Sequence, residues 1–407
     1  MSKISNNNMP SKKTWRLHLW QRVWQSILST ITIGYLKVTH SDGSICFYGK
    51  PSDSYAELVI HDASFYSRVI FGGSVGLGEA YVDGIWSSSD LSEVLILLGA
   101  NVQKFGNYQK GLSLISHWIN CAYHLLRNNN KKNSVSNIQA HYDLSNDFYK
   151  IFLDTSMSYS SAYFEGKSLN LEEAQLNKIH RILDLSELKQ GSRILEIGSG
   201  WGALAFEATN RQCFVKTITL SQAQHDYVES KLADKGLEDS MEVCLQDYRD
   251  ETALYDNVVS CEMIEAVGKE YLECYFRKIK EVLKKNGHAV IQAITIRDSD
   301  YKEYSRSCDW IQKHIFPGGH LPSLGIIKKH IKEIGGIEIK NVYSFGKDYA
   351  KTLNCWDENF AKSSKQVETL GFNKDFQRKW RYYFSYCIAG FVNDLIDVRH
   401  IVLQRTD

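Results

Sequence analysis

The residues best placed to do chemistry begin at Glu196. The apolar, β-branched run Arg193-Ile194-Leu195-Glu196-Ile197 ends in an acid and continues into Gly198-Ser199-Gly200-Trp201-Gly202, three glycines two apart. This pattern suits a buried parallel strand turning sharply into a helix, with backbone bare enough for a ligand to approach closely. The spacing Glu-x-Gly-x-Gly-x-Gly differs from the dinucleotide fingerprint, and the Lys-Ser/Thr of a phosphate-binding loop is absent. A tight structural turn is the alternative reading. Two further stretches, His141-Tyr142-Asp143-Leu144-Ser145-Asn146-Asp147-Phe148-Tyr149 and Met157-Ser158-Tyr159-Ser160-Ser161-Ala162-Tyr163-Phe164, are neither plain strand nor plain helix. Both are dense in Tyr, Ser and Asp, as loops lining a site often are.

The elements that must position these residues follow from periodicity. An amphipathic helix over residues 171–183, opened by Asn170 as cap, precedes the glycine loop. After the loop, strands and helices alternate: strands over 215–220, 241–245, 255–261 and 289–296, with a helix from Ser221 through Ala233. Such alternation predicts an α/β fold with a doubly wound, mostly parallel, Rossmann-like sheet. A ligand then sits beyond the carboxyl ends of the strands, which singles out 219–224, 246–249, 262–268 and 292–296. The second strand ends in Thr219-Leu220-Ser221-Gln222-Ala223-Gln224 rather than in the carboxylate many nucleotide folds use on a ribose; hydroxyl and amide groups can bond a diol as well.

The first part of the chain reads as a smaller α+β domain over residues 1–127, followed by a polar linker at 128–136 and a catalytic domain at 137–407. Between Lys12 and Ile33, four basic residues and no acid border a face made by Trp20, Trp24, Leu28 and Ile31. That face either covers this domain's own core or lies on an anionic membrane surface. Residues 34–70 read as a small sheet, and the glycines from Gly72 to Gly84 as a packed structural turn; helical periodicity resumes from Leu91 to Leu126. With 48 Lys+Arg against 47 Asp+Glu, the charge balance makes no case for a nucleic-acid partner, and 43% hydrophobic residues indicate a globular fold. Nine cysteines without a C-x-x-C pair suggest neither a disulfide framework nor a metal site. No apolar run reaches the roughly 18 residues of a membrane span, and the polar start Met1-Ser2-Lys3-Ile4 is unlike a secretory signal, so a cytoplasmic location is expected.

Taken together, these segments resemble the cyclopropane-fatty-acyl-phospholipid synthases, which share their fold with the mycolic acid cyclopropane synthases. The match spans nearly the whole chain. Beyond the stretches above it rests on Gln246-Asp247-Tyr248-Arg249-Asp250, Glu262-Met263-Ile264-Glu265-Ala266-Val267-Gly268, Ile315-Phe316-Pro317-Gly318-Gly319-His320-Leu321-Pro322-Ser323, Phe345-Gly346-Lys347-Asp348-Tyr349 and the aromatic helix around Tyr382-Tyr383-Phe384-Ser385-Tyr386-Cys387. The resemblance implies methyl transfer from S-adenosylmethionine (SAM) to the cis double bond of an acyl chain on a membrane phospholipid. A carbocation forms, and a base removes a proton from the new methyl so that a ring closes. It implies a SAM site made by Tyr159, Ser160, Glu196, Gly198, Ser199, Gly200, Trp201, Gly202, Thr219, Leu220, Ser221, Gln224, Tyr248 and Arg249. His141 and Asp143 would shape the same pocket.

In the resembled family the base is a bound bicarbonate, and by position its ligands are Glu265, Tyr349 and the backbone of Ile294, with Ser161 where the bacterial pattern has Cys and Gln292 where it has His. Both replacements can hydrogen-bond an oxyanion, and Gln292 looks like the plant-type branch. Cys387 matches a cysteine proposed as catalytic, with a buried structural thiol as the other reading. Aromatic faces such as those of Tyr163 and Tyr349 would steady the cation. The implied partners are a phospholipid membrane surface, bound peripherally from the inner face, and a second copy of the chain. Three rival readings stand beside this one: a fatty-acid methyltransferase leaving a methyl or methylene branch, a small-molecule N-methyltransferase of the same fold, and a lipid-binding protein without activity.

Overall fold

A computed structural model describes residues 12–105 and 144–407, the first seven of them as backbone alone. The expected linker at 128–136, together with His141 and Asp143, lies outside the described residues. The chain divides into two compact units, Met1–Ile119 with Lys374–Tyr382, and Asn120–Asn373 with Tyr383–Asp407.

The first unit opens with α1 (Lys12–Leu28) and continues into strands β1 (Tyr35–Thr39), β2 (Ile45–Gly49) and β3 (Ala56–Ile60). Helix α2 (Ser64–Val82), the short strand β4 (Trp86–Ser87) and helix α3 (Leu91–Ala100) complete it. The sheet order is β2-β1-β3-β4, with β1 and β3 parallel and the other pairs antiparallel. Alternation puts Leu36, Val38, Leu58 and Ile60 into the core. Trp24, Leu28 and Ile31 are buried too, and Trp24 packs on Phe65 at 5.3 Å between ring centroids. Of the two readings for the tryptophan face, the structure supports the one in which it covers the unit's own core.

Residues 64–82 form a helix and not the end of a sheet followed by a turn. Its glycines serve a kink and a close approach: Gly73 adopts φ 56°, ψ −138°, and a Cβ on Gly76 would stand 2.2 Å from the Arg68 carbonyl oxygen. Glycine read as turn punctuation thus hid a buried helix carrying Val75, Leu77, Ala80 and Tyr81.

The second unit carries the α/β layers. Its elements are α4 (Asn146–Tyr149), α5 (Leu171–Leu185), β5 (Arg193–Ile197), α6 (Ala203–Asn210), β6 (Phe214–Thr219), α7 (Gln222–Lys235), β7 (Met241–Leu245), β8 (Tyr255–Cys261), α8 (Leu272–Val282) and β9 (Leu283–Ile296). There follow α9 (Asp298–Tyr304), α10 (Trp310–His314), α11 (Leu324–Ile334), β10 (Ile337–Ser344), α12 (Gly346–Lys362), α13 (Ser364–Thr369), α14 (Lys374–Val392) and β11 (Ile396–Arg405). The first nine residues of α14 belong to the first unit.

Seven strands lie in the order β10-β11-β9-β8-β5-β6-β7. β7, β6, β5, β8 and β9 are parallel, and β11 and β10 close the edge antiparallel. The chain runs outward from β5 through β6 to β7 and then returns to β8, so the strand order switches between β5 and β8. Each face of the sheet is covered: Leu195, Ile197 and Val258 pack with Phe276, Ile279 and Ile331, while Ile194, Val215 and Val259 pack with Ile179, Ile182, Ala205 and Val228. This is the doubly wound, mostly parallel sheet expected, and the crevice at its switch point is where a ligand belongs.

Candidate active site

At that crevice, Gly198 and Ser199 both donate their N–H to the Ile218 carbonyl oxygen, at 2.9 and 3.1 Å, which pins the glycine loop to β6. Gly200 sits at φ 51°, and a Cβ added there would meet nothing within 4 Å. The loop therefore turns bare backbone toward open space. The cavity in front of it is lined by Tyr159 and Ser160 on one side, by Glu196, Gly198, Ser199, Gly200 and Trp201 along the loop, and by Thr219, Leu220 and Gln224 after β6. Tyr248 and Arg249 close the far wall. Of the residues expected to hold SAM, only Gly202 and Ser221 stand off the lining; they cap α6 and α7 behind it.

The groups on these walls have defined partners. Glu196 is 3% exposed and accepts from the Thr217 hydroxyl at 2.5 Å; burial pushes its carboxyl up to about 8. Thr219 donates to Gln224 Oε1 at 2.8 Å, which leaves the Gln224 NH2 for a ligand. Arg249 is held by Asp247 through Nε at 2.9 Å and Nη2 at 2.6 Å. The buried Ser199 hydroxyl has no partner among the described residues. An orphaned hydroxyl, a bare glycine turn and a free amide on one cavity fit a SAM molecule. Lys178 also reaches this cavity from α5, with Nζ 2.7 Å from the Ser160 hydroxyl. Sequence reasoning missed it, and its only signal was a lysine on the inward stripe of an amphipathic helix.

Beyond the cavity's inner wall, the donors expected around bicarbonate converge on a protein carboxylate. Glu262 Oε1 accepts the Ser161 N–H at 2.8 Å and Gln292 Nε2 at 2.7 Å; Glu262 Oε2 accepts the Tyr349 hydroxyl at 2.7 Å. Gln292 is aligned from behind. The neutral His400 lies opposite it on β11, and its Nε2 is 2.8 Å from Gln292 Oε1, while Arg181 Nε donates to His400 Nδ1 at 3.3 Å. Because arginine can only donate, Nδ1 accepts and the His400 proton sits on Nε2, which fixes the Gln292 amide with its NH2 toward Glu262. Burial, with the Arg181 and Lys178 charges, holds the His400 imidazole down at about 3, so it stays uncharged.

Glu265 stands apart from this set. Its Oε1 accepts the Ile294 N–H at 2.5 Å and its Oε2 has no partner among the described residues. Burial first and the Glu262 charge second push its carboxyl up to about 8. Burial raises Glu262 as well, but hydrogen bonds from the Ser161 amide, Tyr349 and Gln292 oppose the rise. With three donors against one, Glu262 is the acid of the pair that ionises first, and Glu265 the one that keeps its proton longer.

Several expected residues play other parts. The Ser161 hydroxyl donates to the Ala162 carbonyl oxygen, so Ser161 serves Glu262 through its backbone alone. Tyr163 is not on the cavity lining, and the Arg181 guanidinium lies over its ring, 4.4 Å from the centroid. The aromatic lining comes instead from Tyr159, Trp201 and Tyr248. Cys387 is not brought to the Glu262 set, and burial, with the Asp309 charge, pushes its thiol well up, away from a nucleophilic thiolate. Glu262 and His400 were absent from the expected site. Glu262 was legible only as the residue just past a strand end, and His400 lies in the middle of a strand that periodicity did not reveal.

Comparison with known proteins settles the class. Residues 129–401 match the family model described as mycolic acid cyclopropane synthetase. The chain belongs to that family. A tuberculostearic acid methyltransferase of Mycobacterium tuberculosis is 35% identical over 382 residues, covering 91% of this chain and 88% of the relative. A cyclopropane-fatty-acyl-phospholipid synthase of Escherichia coli is 31% identical over 354 residues, covering 86% and 88%. Among solved structures, a mycolic acid cyclopropane synthase complexed with SAH and CTAB superposes with TM-score 0.62 at 29% identity, over 67% of this chain and 98% of that one. A coclaurine N-methyltransferase, at 18% identity and TM-score 0.62, shares the fold. This member of the cyclopropane synthetase family is thus a SAM-dependent methyltransferase of the cyclopropane and fatty-acid type, and SAM is its methyl donor. Among the described residues, no helix is long and apolar enough to cross a membrane.

Proposed function

We propose that this enzyme is a cyclopropane-fatty-acyl-phospholipid synthase, which adds a one-carbon unit from SAM to the cis double bond of an unsaturated acyl chain on a phospholipid at a membrane surface. The observation that carries the reading is a half-buried carboxylate, held by Tyr349, Gln292 and the Ser161 amide, on the wall of the SAM cavity. Methyl transfer to an alkene leaves a carbocation that closes to a ring only when a proton is removed, and Glu262 is a fixed acceptor within the site for it. Bound SAM supplies the methyl as an electrophile. The chain's own residues orient it through the glycine loop, and the aromatic rings of Tyr159 and Trp201 offer a cation no competing nucleophile. Water kept from this wall cannot trap the carbocation as an alcohol.

Bicarbonate, the base implied by the resemblance, fits these residues poorly. Tyr349, Gln292 and the Ser161 amide are spent on Glu262, and the Ile294 amide on Glu265. A second product is favoured by one finding, the 35% identity to a tuberculostearic acid methyltransferase: a methylene-branched acyl chain, which shares the same cation. Lipid extracts from cells expressing the chain with methyl-labelled methionine test both. Label in acyl chains that co-migrates with a cyclopropane standard and shows ring protons by NMR is the expected result. Label in a branched chain selects the second product, and unlabelled acyl chains overturn both.

A further inference from the structure

We propose that Glu262 is the catalytic base of this enzyme, a carboxylate of the chain itself where a borrowed bicarbonate would otherwise serve. The inference rests on the reading of the reaction as methyl transfer to an alkene. Its ground is placement. Glu262 lines the SAM cavity, whereas Glu265, Tyr349, Gln292 and Ile294 stand behind that lining. Three of the donors that could have held a loose oxyanion, the Ser161 amide, Gln292 and Tyr349, are aimed at the Glu262 carboxylate, and the Ile294 amide is taken by Glu265.

The backbone at this residue is informative too. Glu262 follows the last residue of β8, and its N–H donates to the Gln292 carbonyl oxygen at 2.8 Å, so the chain bends there. It does so at φ 50°, in the left-handed region that a non-glycine residue rarely occupies. Strain of this kind persists where the surroundings over-determine it, and it clusters at functional positions.

The step balances without a co-reactant. The alkene π pair bonds to the SAM methyl carbon as the carbon–sulfur bond breaks and its pair stays on sulfur, leaving S-adenosylhomocysteine and a carbocation on the chain. Glu262 then takes one proton from the added methyl, and the released C–H pair closes the cyclopropane. In a branched product the same pair forms a methylene double bond after a hydride shift along the chain. Glu262 leaves the cycle protonated and returns its proton to solvent.

The test uses the full-length enzyme, SAM and vesicles of cis-unsaturated phospholipid. The wild-type rate should hold within about twofold when buffers are stripped of carbon dioxide. Glu262→Gln should lose about 100-fold or more of product, in the range general-base removal usually costs, while SAM affinity measured by calorimetry changes little. Glu262→Gly, which suits the left-handed backbone, should be equally slow and should recover on addition of millimolar bicarbonate. Carbon-13 NMR with labelled bicarbonate should show a bound signal in Glu262→Gly and none in the wild type. A wild-type rate that collapses without bicarbonate and returns with it, or full product from Glu262→Gln, overturns the assignment of the base. A wild-type enzyme that leaves every alkene unchanged overturns the reading of the reaction instead.

Discussion

At the scale of single residues, the site is one relay of hydrogen bonds with a fixed direction. Arg181 forces the His400 tautomer, His400 forces the Gln292 amide, and Gln292 and Tyr349 both donate to Glu262. Donors to the charged form favour ionisation. Tyr349→Phe deletes one of them, so the Glu262 carboxyl should rise further and be ionised only at higher pH. Expected in the kcat profile is an acidic limb displaced upward by roughly one pH unit, with the loss greater at pH 6 than at pH 8. An equal loss at all pH values would instead mean that the Tyr349 hydroxyl does not act through the ionisation of Glu262. Its ring does pack on Phe391, at 4.6 Å between centroids, and Phe at this position keeps that contact.

At the scale of elements, the glycine loop has to pass between β5 and α6 without side chains on the ligand face. Gly200→Ala would place a methyl in the open space that fronts the cavity and in a left-handed backbone, which costs about 1–2 kcal/mol. We expect SAM affinity to fall about tenfold in calorimetry, in line with ~1.4 kcal/mol, while the fold survives; unchanged affinity would show that SAM lies elsewhere. This loop and the parallel strands were legible in the sequence because β-branched runs ending in glycine or polar residues recur at α/β spacing. The antiparallel edge was not. β11, Ile396-Asp397-Val398-Arg399-His400-Ile401, carries its functional His400 mid-strand, where the rule that ligands lie at carboxyl ends gives no help. Glu265 stood out through family resemblance, and Glu262, three residues earlier, needed coordinates: only they show which acid receives the donors. α2 was misread for the opposite reason, since glycine signals a turn locally but a kinked, buried helix once packing is known.

At the scale of the whole molecule, two buried acids set a pH dependence on stability. Glu196 and Glu265 are each pushed up to about 8 by burial, from an ordinary value of 4.5. The folded state therefore keeps protons that the unfolded chain gives up, and stability falls as pH rises from about 4.5 to about 8, by at most ~1.4 kcal/mol per pH unit and group. Urea midpoints should be lower at pH 8.5 than at pH 6. Glu265→Gln, neutral at both, should flatten that fall; an unchanged slope would mean that Glu265 ionises freely in the folded state.

The backbone at residue 262 carries a consequence for descent. A glutamate codon becomes a glycine codon by one change at its middle base, and φ 50° is a conformation glycine adopts without strain. On the proposed assignment, a single mutation exchanges a built-in proton acceptor for one drawn from dissolved carbon dioxide and relieves the backbone of a left-handed non-glycine residue on the way. Position 262 is a genetic switch point as much as a chemical one.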